Sequence, residues 1–105
     1  MADQAVTISR ETQGERGRYV ARVADSEAEA ELTWYRDGEA QGEDVRVADH
    51  TFTPPELRGR GIAKELVEAL VADAQDQGFR IVPACSYVAR AFRDHPEWGA
   101  LKAAD

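Results

Sequence analysis

Along the chain, hydrophobic positions change period once. In the first half they recur every second residue. Arg18–Val23 places Tyr19, Ala21 and Val23 on one face, and Glu27–Arg36 sets Ala28, Ala30, Leu32 and Trp34 against Glu27, Glu29, Glu31 and Thr33. Glutamates are poor strand residues, so an early helix competes for this second stretch. The period of two and the Trp34-Tyr35 end favour a strand. Thr7–Glu11 reads as a short strand before these, and Asp44–Thr53 as a fourth, with Val45 and Val47 on one face and Ala48 and Phe52 on the other. Turn residues fill Arg36–Asp44. The four strands predict an antiparallel meander.

From Ile62 the apolar positions are Ile62, Ala63, Leu66, Val67, Leu70, Val71 and Ala74, the one-face spacing of an α-helix, with Gly78 as its stop. Arg80–Cys85 is a short β-branched strand bounded by Pro83. Strand, helix and strand in succession make a βαβ unit with a parallel strand pair. Ser86–His95 reads as a second helix, with Ser86 as N-cap and Pro96 as terminator. The expected fold class is α+β (α/β): an antiparallel meander, then a βαβ unit and a C-terminal helix, in one domain over residues 1–105.

Composition narrows the function. The chain has 105 residues, 43% hydrophobic and 31% charged, which suits one folded domain. No apolar run approaches the roughly 18 residues of a membrane span. The N-terminal MADQAVTISR lacks the basic-then-apolar order of a signal peptide. The single cysteine, Cys85, excludes an internal disulfide and a cysteine-based zinc cluster. A cytoplasmic location is expected. The formal net charge of −7 argues against general nucleic-acid binding, which needs cations to displace counterions. No two-histidine-plus-acid spacing suggests a metal.

The charge is unevenly spread. Residues 1–50 carry 12 acids and 6 bases, whereas residues 51–105 carry 8 and 7. Within this acidic field Arg58, Arg60 and Lys64 form a basic island around Gly59 and Gly61, at the start of the predicted helix. A helix N-terminus presents unpaired N–H groups and positive partial charge, which phosphate oxygens satisfy. Glycines there remove the Cβ atoms that would hold a phosphate away. An anion site between Arg58 and Lys64 follows, with a plain surface turn as the alternative. A P-loop is excluded, because no Gly-Lys-Ser/Thr follows either glycine. A dinucleotide fingerprint is excluded too: its third glycine would be Lys64, and the downstream neighbourhood holds Arg80 rather than an acid.

Arg58-Gly59-Arg60-Gly61-Ile62-Ala63 matches R/Q-x-x-G-x-G/A, and Pro55 to Ala63 resembles P-E-x-R-G-x-G-I-G/A, the coenzyme A pyrophosphate loop of the GNAT N-acetyltransferase superfamily. The helix, the Gly78 turn, RIVPACSYV and HPEW resemble its compact YjdJ-like branch, which lacks the usual N-terminal helices and is truncated relative to full-length GNAT enzymes. The strong part of the resemblance spans His50 to Trp98. It implies acetyl-CoA as cosubstrate and an amine, small molecule or protein, as acceptor. It makes Arg58, Gly59, Arg60, Gly61, Ile62 and Ala63 the pyrophosphate cradle, with Lys64 beside it. It places pantetheine along the backbone of Phe52 and Thr53, and the thioester in a splay between the Asp44–Thr53 and Arg80–Cys85 strands, next to Ser86. One departure stands out. The superfamily's N-x-x-A-x-x-Φ-Y spacing on the last helix gives Ser86, Ala89, Phe92 and Arg93, so an arginine replaces the tyrosine that would protonate the departing thiol.

Cys85 and His50 are the candidate catalytic residues. Cys85 ends the strand that flanks the cofactor and precedes a helix whose amides favour a thiolate. It either takes the acetyl group covalently or lines the pocket as a small hydrophobe. His50, on the strand leading to the loop, offers an imidazole, the side-chain type suited to general-base work, or is a surface histidine. Tyr87 reads as core packing or a proton donor; Trp34 and Trp98 read as packing residues. The readings are an acetyl-CoA-dependent N-acetyltransferase, an acyl-CoA-binding module with little or no catalysis, or an interaction domain using the acidic strands.

Overall fold

The computed structural model describes residues 5–38 and 43–103. Four strands, β1 (Val6–Gln13), β2 (Arg16–Val23), β3 (Glu29–Arg36) and β4 (Val45–Phe52), form the antiparallel meander. After a 3-10 turn at Pro55–Leu57 come α1 (Ile62–Gln77), β5 (Arg80–Pro83) and α2 (Ser86–Asp94), then a 3-10 segment over Pro96–Leu101. Sheet order follows chain order, and β5 lies parallel to β4. Residues 39–42 of the predicted Arg36–Asp44 turn lie outside the described residues.

Period dictates the layers. Tyr19, Ala21 and Val23 of β2 and Ala30, Leu32 and Trp34 of β3 bury one sheet face against Ile62, Leu66, Val67, Leu70, Val71 and Ala74 of α1. Val88 and Phe92 of α2 join this core, and Trp98 meets Phe92 edge-on at 5.5 Å. Asp73 of α1 accepts hydrogen bonds from the Tyr19 hydroxyl at 2.8 Å and from Arg10 at 2.7 and 3.0 Å, tying α1 to β1 and β2. Arg46, buried on the same face, lies over the rings of Trp34 and Phe79, and Asp44 pairs with it at 3.1 Å.

The other face of the meander is polar. Arg18 bridges Glu11 and Glu31, and Arg22 pairs with Glu29, so aliphatic stems cover the buried Val20. Among the described residues neither α-helix lies on this face, because both pack into the core on the opposite side.

Three local expectations are corrected. The alternation of β4 breaks at Asp49. Trp34 pairs with Ala48 but Thr33 with His50, so Asp49 is an extra residue in a bulge. Ala48 stays on the core face with Arg46, but the bulge moves Phe52, expected on the face of Ala48, to the polar face, where it is exposed. The last strand stops at Pro83 rather than Cys85, because the amides of Ala84 and Cys85 both donate to the Ala48 carbonyl, at 3.1 and 2.9 Å, and turn the chain off the sheet. The N-cap of α2 is therefore Cys85, and Ser86 is its first helical residue.

Candidate functional site

The loop before α1 is built from its sequence. Leu57 is fully buried and pins the 3-10 turn. Arg58 Nε donates to the Thr53 carbonyl at 3.0 Å, folding the loop back on the end of β4. Gly59 and Gly61 have φ of 79° and 76°, a left-handed backbone that costs any residue with a Cβ about 1–2 kcal/mol. A Cβ at either position would meet no atom within 4 Å, so both glycines face open space. Gly61 is the N-cap of α1 and supplies no side-chain cap. Nothing at either glycine covers the uncapped first turn of α1, and Ile62, almost wholly buried, anchors the turn below.

The basic island is partly neutralised. Arg60 pairs with Asp25 of the β2–β3 connection at 3.1 Å, a contact from the acidic first half that charge counting did not anticipate. Arg58, by contrast, is bonded to a neutral carbonyl rather than to a carboxylate. Lys64 is exposed in the first turn of α1 and lines a groove of about 340 Å³ between α1 and α2, together with Tyr87, Arg90 and Trp98. Tyr87 is exposed, not packed in the core as expected, because α2 turns Val88 and Phe92 inward instead.

Beside this loop the sheet opens. β4 and β5 pair only from Val45–Arg80 to Ala48–Pro83, and β4 then continues to Phe52 with β3 alone. Pro83 has no N–H to extend the ladder. Cys85, half-buried, sits in the gap with its Sγ 3.5 Å from Thr51 Oγ1. Burial pushes the thiol pKa up, but the amide of Val88, the Thr51 hydroxyl and the amides of Tyr87 and Thr51 outweigh it and hold the pKa below the ordinary value. No geometric cap bond closes from Cys85 to α2, so these amides act on the sulfur as a field.

His50 lies elsewhere. It is exposed and opposite Thr33 on the polar face, whereas Thr51, opposite Leu32, turns toward the core with Cys85. The strand separates the two candidate catalytic side chains. Sequence reasoning missed Asp49 and Thr51. Asp49 Oδ1 accepts the Thr33 hydroxyl at 2.7 Å at the mouth of the gap. The polar run Asp49-His50-Thr51 inside an alternating strand was the available signal, because it breaks the period of two.

The loop amides, the Arg58 charge and the gap suit a phosphorylated ligand with a slender arm reaching between strands. Among the described residues, no group of three or more His, Cys, Asp or Glu is placed to hold a metal ion. Among them, too, no helix is long and apolar enough to cross a membrane. A sequence model of the GCN5-related N-acetyl-transferase family matches residues 18–101.

Proposed function

The chain belongs to the GCN5-related N-acetyltransferase family, and we propose that it moves the acetyl group of acetyl-CoA to an amine. The observation that carries this reading is the adjacency of two features: an uncapped helix N-terminus behind two left-handed glycines, and a sheet gap with Cys85 in it. The amides of Gly59 to Ala63 would hold the pyrophosphate, with charge from Arg58. Lys64 and Arg90, on the two walls of the groove between the helices, would face the phosphorylated adenosine end. The pantetheine arm would run along Phe52 and past Ser86. Arg58 already occupies the Thr53 carbonyl, so a backbone contact of the arm with Thr53 would use its amide.

The amine lone pair attacks the thioester carbonyl, the C–S bond breaks and an amide forms. The nitrogen loses one proton and the departing thiolate takes one. The chain positions the reactants and offers proton acceptors on the polar face, Asp49 and His50. Arg93 stands where the superfamily's tyrosine would be, and in this scheme the Cys85 thiol would supply the proton in the tyrosine's place. A second scheme, acetyl transfer through Cys85 itself, is favoured by the lowered pKa of that thiol. The rival reading, a module that holds acyl-CoA without turnover, is favoured by the separation of His50 from Cys85.

The test is thiol release from acetyl-CoA with a panel of amines, alongside intact-mass spectrometry of the chain. Amine-dependent CoA release supports the transferase. Tight binding without release supports the module. An acetyl adduct lost in Cys85→Ala selects the covalent scheme.

A further inference from the structure

The polar face of the sheet holds a groove of about 510 Å³, within the range of small-molecule sites. Glu11, Arg16, Arg18, Thr33, Tyr35 and Asp49 line it. Its charges do not cancel evenly. Arg18 shares its one positive charge between Glu11 at 2.7 Å and Glu31 at 2.9 Å, so it is fully engaged. Asp49 accepts only the neutral Thr33 hydroxyl, and among the described residues it has no cationic partner. Arg16 has no side-chain partner among the described residues either. Asp49 and Arg16 are thus each without an ion-pair partner among the described residues, at different places in one groove.

Register fixes those places. Asp49, the extra residue of the bulge, is tied by its hydrogen bond to Thr33, and Thr33 lies opposite Arg18. Arg16 lies opposite Tyr35, one pleat further along. Strand and residue spacings put the Asp49 and Arg16 Cα atoms about 12 Å apart. Asp49 directly follows Ala48, where β4 and β5 part, so the anion is at the gap and the cation is remote. The Tyr35 ring, 40% exposed, lies between them in the Arg16 row.

We propose that this groove binds the acceptor, and that the acceptor is a small amine bearing a carboxylate several methylenes away, an ω-amino acid. Asp49 attracts the ammonium form to the gap and accepts a proton from it. The amine then reaches the thioester from the face opposite the helices. The methylenes lie on Tyr35, and Arg16 takes the carboxylate. A polyamine would set a second ammonium against Arg16, and a plain alkylamine would leave Arg16 unused, so both are disfavoured. The assignment rests on the acetyl-transfer reading, but binding in the groove is measured without turnover.

The experiment is a titration of the ¹⁵N-labelled full chain with 6-aminohexanoate, hexylamine, hexanoate, Nα-acetyl-lysine and Nα-acetyl-lysine methylamide. The expected result is saturable shifts at Arg16, Thr33, Tyr35 and Asp49 with 6-aminohexanoate and Nα-acetyl-lysine. Hexylamine, hexanoate and the methylamide, which mimics a lysine inside a protein, bind about tenfold more weakly or worse, each lacking one charge contact. Arg16→Gln should erase the preference over hexylamine, and Asp49→Asn the preference over hexanoate. Equal binding of hexylamine or of the methylamide, or shifts outside the groove, would overturn the proposal. Titration with acetyl-CoA on the same sample separates the two readings. Shifts at Gly59 to Ala63 with acetyl-CoA, but none at Arg16, Thr33 and Tyr35 with 6-aminohexanoate or Nα-acetyl-lysine, would remove this acceptor and leave the transferase standing. Groove shifts without a CoA response would remove the transferase and keep the ω-amino acid site.

Discussion

Replacing Gly61 by alanine asks whether its backbone serves the fold or a ligand. Two effects on stability follow from the structure. The left-handed φ of 76° strains an alanine by about 1–2 kcal/mol, while the stiffer unfolded chain returns about half a kcal/mol. No packing clash adds to this, since a Cβ there meets nothing within 4 Å. The net cost is about 1 kcal/mol, or roughly 5 °C in Tm for a domain of this size. Gly78, at the other end of α1, supplies the control: its φ is 82° and its surroundings are equally open. Gly61→Ala and Gly78→Ala should therefore lose similar stability. They should differ in CoA binding. The methyl at Gly61 enters the space a phosphate oxygen needs, and each charge-assisted hydrogen bond lost costs about 1.5–3 kcal/mol, so affinity should fall about 10- to 100-fold. Gly78→Ala should keep wild-type affinity. Calorimetric titration with CoA and thermal unfolding of both variants are the assays. If Gly61→Ala shifts Tm like Gly78→Ala yet binds CoA within a factor of two of wild type, the loop amides are not the phosphate site.

Three further outcomes are expected. The Cys85 thiol, with its pKa held below the ordinary value, should alkylate with iodoacetamide with a pH midpoint below that of the unfolded chain; because the native pKa is the lower one, Cys85 adds stability as pH rises through it toward the unfolded value, and Cys85→Ala should flatten that slope in pH-dependent denaturation. Burial disfavours the Asp73 charge, but Arg10 and Tyr19 hold its pKa below the usual carboxylate value, so its contribution is lost as pH falls through that lowered pKa; Asp73→Asn should cost about 1–2 kcal/mol at neutral pH and flatten the acid limb of the urea-midpoint curve. A Cβ at Gly17 would lie 2.5 Å from Trp34 Cζ2 and 2.7 Å from the Glu11 carbonyl, so Gly17→Ala should destabilise by about 1–3 kcal/mol in chemical denaturation, and a neutral result would refute the packing described there.

The elements that sequence made legible were those governed by one period. Tyr19, Ala21 and Val23 alternate and are buried together; Ile62 through Ala74 follow the helical spacing and face the core. The glycine loop was legible because φ above zero has few residue solutions, and Gly59 and Gly61 both adopt it. The site's finer geometry was not. A single inserted residue, Asp49, reverses which later side chains of β4 face the core, and the polar run Asp49-His50-Thr51 shows that the period breaks without showing which residue is the extra one. That reversal puts Phe52 on the polar face and separates His50 from Cys85. The Arg60–Asp25 pair joins residues 35 apart in sequence, and charge counts carry no such distances.

The central claim is that acetyl-CoA lies with its pyrophosphate on the start of α1 and its thioester in the gap beside Cys85. The most direct measurement is the map of ¹⁵N amide shifts when the full chain is titrated with acetyl-CoA. Saturable shifts are expected at Gly59 and Gly61 to Lys64, at the β4 end from Asp49 to Thr53, and at Cys85 to Val88, with β1 and the β1–β2 turn unmoved. Shifts that spare Gly59 to Lys64, or no saturable shifts at all, would contradict it.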